Sequence, residues 1–183
     1  TLLGNAIYTD FVTGSFNKQK QTLTLVFVDK KEKIHRITFT PDEVTSGVEW
    51  GGDRTSLSNS HIETRQDNGT MPTQFPDGDH NIESIADTTD PSKYGSKWLT
   101  TDASQYLSVV DENGNPTGKT VKDFGYYIHF TIYKNTHGCI GIFNKLVMTI
   151  LLKAFEKNKE TSDPSATLHV TGDPSKYENS VEN

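Results

Sequence analysis

The sequence predicts a mainly β fold: a single-domain sandwich or barrel-like sheet of short strands, holding one main α-helix. Three observations carry that prediction. Short stretches alternate apolar and polar residues along much of the chain, the period of half-buried strands. The connections between them are long and polar, and only 32% of the 183 residues are hydrophobic. One stretch has clear helical spacing, and it follows the chain's only cysteine. No internal repeat or low-complexity linker divides the chain, so residues 1–183 read as one domain.

Taken in order, residues 5–16 read as an opening strand. From Thr22 to Val28, Leu23, Leu25 and Phe27 alternate with Thr24 and Val26. The charged turn Asp29 to Lys33 returns that strand as Ile34 to Phe39, which predicts a hairpin. Thr40-Pro41-Asp42-Glu43 opens a loop or a helical turn. Residues 45–70 are irregular and polar, the kind of segment expected to supply part of a cleft wall. Gly69 to Ile82 reads as a turn feeding a strand, since proline and Asp77-Gly78 suit turns in any protein. Asp87 to Thr101 reads as a polar loop with Tyr94 and Trp98 as its only large anchors. Tyr106 to Val110 is a strand, Glu112 to Lys119 a long hairpin turn, and Val121 to Tyr133 the next strand. Ile142, Phe143, Leu146, Val147, Ile150, Leu151, Ala154 and Phe155 then predict a helix over 142–157. Met148 and Leu152 widen its apolar face, so packing on most sides is expected. Thr161 to Pro164 stops the helix, Ala166 to Thr171 is a last strand, and the tail from Asp173 is expected to be loose.

A net charge of −6 argues against a nucleic-acid partner, which calls for clustered lysines and arginines. The single cysteine allows no intrachain disulfide, so the fold needs no oxidising compartment. The most apolar run, Leu146 to Leu152, is far too short to cross a membrane. The chain opens Thr-Leu-Leu-Gly without a Met, as expected of a processed or trimmed protein, and a signal peptide removed before that point leaves no trace in it. His61, Asp79 and His80 match no zinc spacing, and Gly51-Gly52 lacks the lysine of a phosphate loop. No metal or cofactor is expected.

The chemistry concentrates around Cys139, with His137 two residues before it and His129 ten before it. A thiolate is a strong nucleophile, and an imidazole can take the thiol proton. The alternation from Phe124 to Tyr133 puts Tyr127, His129, Thr131 and Tyr133 on the face opposite the aliphatic residues. A histidine on a separate strand can be aimed at sulfur without straining the turn, so His129 is the better candidate base. His137 either bears on the thiol or caps the turn. Tyr127 and Tyr133 line a cleft, orient the imidazole, or simply pack. Gly138 and Cys139 sit just before the predicted helix, whose free N–H groups and dipole favour the thiolate. That setting predicts a thiol pKa below the usual value of about 8.5. The N–H groups around Gly138 and Cys139 are candidates to hold an oxyanion. An inert, buried cysteine is the competing reading.

These residues also resemble a known family. Thr136-His137-Gly138-Cys139-Ile140 is similar to the Ser/Thr-His-Gly-Cys-(Ile/Val) signature of L,D-transpeptidase catalytic domains of the YkuD type. Ile128-His129 stands where that family carries an upstream Ile-His on a strand. Pro76-Asp77-Gly78-Asp79-His80-Asn81-Ile82 resembles its Pro-x-Gly-x-(aromatic)-x-Ile segment, with His80 in the aromatic position. The resemblance implies Cys139 as nucleophile, His129 as base, Thr136, His137 and Gly138 around them, and peptidoglycan stem peptides as substrate. By order of elements the resemblance covers a core of about residues 21–172, and it implies a place in the bacterial periplasm or envelope. Two features depart from the pattern. The loop between His129 and Thr136 is much shorter than usual, as in divergent relatives that include envelope-directed toxins. Gly141 stands where the family commonly has Arg or Asn that helps hold substrate. Arg54 or Arg65 is then expected to face the cleft and orient a carboxylate on the donor. Arg65 is preferred, because it leads into the Asn68-Gly69 turn.

The leading expectation is therefore cysteine-dependent acyl transfer or hydrolysis through a thioester, as L,D-transpeptidase or L,D-carboxypeptidase. Two alternatives stand beside it. One is a papain-like peptidase or wall amidase, with His169 on the last strand as base to Cys139. The other is a wall-binding β module with an inert thiol.

Overall fold

The computed structural model describes residues 8–29, 31–47, 75–110, 116–133, 136, 138–158 and 166–172. Among these, strands dominate. β1 (Tyr8–Asn17), β2 (Thr22–Asp29) and β3 (Ile34–Phe39) form an antiparallel meander, with the predicted hairpin between β2 and β3. The turn is closed by Asp29, whose Oδ1 accepts from Lys31 N at 2.8 Å and Lys33 N at 2.9 Å. Next come β4 (Val44–Ser46), β5 (Gly78–Asp87), the short helix α1 (Pro91–Tyr94) and β6 (Lys97–Thr101). β7 (Ser104–Val110) and β8 (Pro116–Phe124) make a separate two-stranded hairpin. β9 (Ile128–Phe130), β10 (Ile140–Ile142), the main helix α2 (Lys145–Asn158) and β11 (Ala166–Thr171) complete the order.

Nine strands form one sheet in the order β3-β2-β1-β11-β5-β6-β9-β10-β4. It curls into a nearly closed barrel-like layer. Gln21 spans the gap between its ends: Gln21 Oε1 accepts from Ser46 N at 2.8 Å, and its Nε2 donates to Lys18 O at 2.7 Å. The mainly β architecture with one main helix is as the sequence predicts. The enclosed core is continuous, built from Phe11, Phe16, Leu25 and Phe27 on β1 and β2, Leu99, Ile128, Ile140 and Ile142 on the central strands, and Leu168 on β11. Phe11 and Phe16 are both fully buried in it.

Three local expectations change. The helix begins at Lys145, not at residue 142, because Ile142 is paired with Phe130 and Val44 in the sheet. Asn144 starts it, its Oδ1 accepting from Leu146 N at 2.9 Å and Val147 N at 3.3 Å. The helix is also not packed on most sides. Val147, Met148, Leu151, Ala154 and Phe155 are buried and Leu146 is 60% exposed, so one stripe faces the core, chiefly over β1. Finally, the strand expected over 121–133 breaks at Gly125, where a φ of 90° turns the chain out of the β7–β8 hairpin and into β9.

Residues 87–101 are not a plain loop. Thr88 N donates to Ser96 O at 3.1 Å, and Lys97 pairs with Asp87, so the excursion is closed at its base. Asp90 caps α1, with Pro91 in its first turn.

Candidate active site

β9 and β10 run parallel, and the connection between them is short. It carries the chain from Thr131 back to Cys139, beside the start of β9. Gly141 pairs with His129 and Ile140 with Ile128, while Ile140 N donates to Tyr127 O at 2.9 Å. Alternation then divides the two strands. Ile128, Phe130, Ile140 and Ile142 face the core, while Tyr127, His129, Thr131 and Cys139 face the other way. That second face lines a cleft of about 570 Å³, together with Thr89, Lys93, Tyr94, Trp98, Gly125, Tyr133 and Thr136.

Hydrogen bonds fix the cysteine turn from beneath. Ser46 Oγ donates to Gly138 O at 2.9 Å. Thr136 and Gly47 exchange two bonds of 3.0 Å each, from Gly47 N to Thr136 Oγ1 and from Thr136 N to Gly47 O. Thr136 Oγ1 also donates to Cys139 O. Gly138 has a φ of 110°, a conformation that favours glycine over any residue with a Cβ. The threonine and glycine of the motif thus serve the backbone geometry that presents the thiol.

His129 is buried, and its Nδ1 lies 2.7 Å from Phe130 O. A carbonyl only accepts, so Nδ1 carries the proton and Nε2 is the free basic nitrogen. Burial lowers the His129 pKa, and the Phe130 carbonyl offsets this in part. The ring is held by Tyr94, edge-on with centroids 4.9 Å apart, and by Trp98 at 6.1 Å. Trp98 also packs on Tyr127, at 5.1 Å.

The thiol departs from the sequence expectation. Cys139 enters a strand, not a helix, so no helix dipole reaches it. The residue keeps some exposure, yet burial of the sulfur pushes the thiol up to about 11. The backbone N–H of Tyr127, 3.3 Å from Sγ, works in the opposite direction, and the Asp123 charge adds to the rise. Sγ in turn lies 3.4 Å from Gly125 O, a weak acceptor contact for a protonated thiol. Burial thus disfavours the charged form of both groups, the thiolate and the imidazolium.

Other predicted residues fall as follows. Tyr127, Tyr133 and Thr136 line the cleft. Gly141 does not: a Cβ there would meet Thr131 Cγ2 at 2.5 Å and Thr136 Cγ2 at 3.2 Å, so threonine methyls occupy its space. His169 is on β11, exposed and paired with Asp79, with β5, β6 and β9 between it and β10. It is not among the cleft residues, which removes the papain-like pairing. The Pro76–Ile82 segment is likewise outside the cleft. It is an anchor, where Lys18 Nζ donates to Phe75 O at 2.8 Å and pairs with Asp77 at 3.0 Å. His137, Arg54 and Arg65 lie outside the described residues. The sequence reading missed Thr89 and Lys93 altogether and took Tyr94 and Trp98 only as loop anchors. The cap signature Asp90-Pro91-Ser92, placed just before them, was the available signal for an ordered turn.

The chain matches the family model YkuD, the L,D-transpeptidase catalytic domain, over residues 15–153. The protein belongs to that family, whose members act on the cell wall. No curated protein matches it. Two crystal structures of the helical cell shape determining protein Pgp2 from Campylobacter jejuni, one of a point mutant, are similar at 17% identity with a TM-score of 0.48. The match covers 91% of this chain and 50% and 49% of those chains, so the protein spans about half their length. Among the described residues no helix is long and apolar enough to cross a membrane, and no cluster of metal-ligating side chains occurs.

Proposed function

We propose that the protein is a cysteine acyltransferase or peptidase acting on peptidoglycan stem peptides in the bacterial envelope. The observation that carries the reading is the cleft shared by Cys139 and His129, on one face of adjacent strands within the family's catalytic domain. Because the thiol rests protonated, attack and deprotonation are coupled. His129 Nε2 takes the thiol proton as sulfur bonds to a peptide carbonyl carbon. N–H groups of Gly138 and Cys139 stabilise the oxyanion. The carbonyl re-forms, the C–N bond breaks, and His129 returns its proton to the departing amine, leaving a thioester on Cys139. An acceptor amine gives a new peptide bond; water gives the free acid.

The test is the intact mass of the protein after mixing with a stem tetrapeptide. The expected product is an adduct equal to the peptide without its leaving residue, mapped to Cys139 and absent in Cys139→Ala. The alanine variant should fold normally, since the change removes one atom at a partly exposed turn. Turnover by Cys139→Ala at the wild-type rate would remove the nucleophile. The second reading, a wall-binding module with an inert thiol, is favoured by the elevated thiol pKa. Retention of wall fragments without any Cys139 adduct would select it.

A further inference from the structure

The geometry points to Lys93 as a specificity-determining residue that binds a free carboxylate on the peptide entering the cleft. The inference rests on the acyl-transfer reading and extends it to the substrate's charge. Among the described residues lining the cleft, Lys93 is the one cation and none is a carboxylate. Burial disfavours the charged imidazolium of His129. The protein as a whole carries a charge of −6, so an anionic peptide gains most from a local positive group.

The position of Lys93 is set by the backbone. The excursion between β5 and β6 is closed by Thr88 and Ser96, and Tyr94 N donates to Asp90 O at 3.0 Å within α1. Tyr94, the next residue, rests edge-on against His129. Lys93 is therefore carried on a segment registered directly to the candidate base. Its Nζ is 6.0 Å from the centroid of Tyr133, another cleft residue. Tyr133 and Asp90 raise its pKa, so the charge is retained. The partner on its own helix is weakly held: Nζ lies 3.6 Å from Asp90 Oδ2 in an exposed pair, which a ligand carboxylate can replace at little cost.

The carboxylate has two possible sources, the C-terminus of the peptide and an acidic side chain. Binding is measured by calorimetry on Cys139→Ala protein, which removes turnover. Three tetrapeptides are compared: the free acid, the C-terminal amide and the side-chain amide. Lys93→Gln is expected to weaken the free acid about tenfold, as for loss of one charge-assisted hydrogen bond. It should change binding of one amide less than twofold, and that amide identifies the carboxylate read by Lys93. Lys93→Arg should retain binding of the free acid within about threefold. Raising salt should narrow the difference between wild-type Lys93 and the glutamine variant. Equal losses on all three peptides, no loss on any, or no binding of any peptide would each overturn the inference. The acyl-transfer reading is judged separately by the Cys139 adduct, which can form whether or not Lys93 discriminates.

Discussion

The two walls of the cleft are built by different physics. The Cys139 wall is a set of strand ends and turns tied by directional hydrogen bonds, with Ser46, Gly47 and Thr136 each bonded to a neighbouring backbone or side-chain atom. The facing wall, on the excursion from β5 to β6, touches the site through rings: Tyr94 on His129, Trp98 on His129 and Tyr127. Directional bonds fix where a reacting atom sits. Ring packing is less exacting in geometry but buries the imidazole, and burial lowers the His129 pKa. One wall presents Cys139, and the other covers His129.

The largest expected effect comes from replacing His129, the candidate base. His129→Gln should lower kcat/KM by about 100- to 10,000-fold, the range for a general base. The pH profile supplies the sharper reading. A lowered His129 pKa means that the neutral base is fully present at neutral pH, and the wild-type rate should fall only as pH drops below the usual histidine range. The variant has lost that acid limb. Its residual rate should climb with the thiolate fraction toward a thiol pKa of about 11. A variant that keeps the wild-type acid limb would mean that another group titrates.

A change beneath the Cys139 wall should act through stability. Gly141→Ala puts a Cβ 2.5 Å from Thr131 Cγ2. Thr131 cannot swing away freely, because Tyr133 N donates to its Oγ1 at 3.0 Å. Overpacking of this kind costs about 1–3 kcal/mol, to be read by denaturant unfolding. Thr131→Ser keeps the oxygen and deletes the clashing methyl, so the double variant should recover much of the loss. Additive losses would show that the strain lies elsewhere.

The same division explains what could be read in the sequence. Alternation fixed the hairpin of β2 and β3 and the face of His129, because local period decides which side of a strand is buried. Thr136 and Gly138 were legible because their reasons are local: Thr136 Oγ1 bonds the Cys139 carbonyl three residues on, and Gly138 takes a φ of 110°. The electrostatics of the thiol were not. Ile142 and Phe143 fall at helical spacing with the apolar residues of α2 and hide the three-residue strand β10, and only its pairing with β9 and β4 separates Cys139 from α2. The aromatic wall was equally hidden, since Tyr94 and Trp98 meet His129 through tertiary packing that no short spacing encodes. Gly141 read as a missing substrate contact. The structure gives it a different reason, the room that the buried Thr131 side chain needs.

The smallest effect should come from the ring wall, and it tests whether that wall acts on protonation or only on packing. Tyr94→Leu keeps an apolar side chain in α1 but removes the edge-on contact at 4.9 Å from His129. Such a contact contributes about 0.5–1.5 kcal/mol beyond its buried area, so kcat/KM should fall only about two- to tenfold. The informative quantity is the His129 pKa, followed by the ring-proton shifts in NMR. Leucine is smaller than tyrosine and admits water beside the imidazole, so burial weakens and the pKa should rise toward the usual value. The acid limb of the rate profile should then move to higher pH. A rate loss with an unmoved His129 titration would assign Tyr94 to packing alone and leave Trp98 and the strand backbone to set the base.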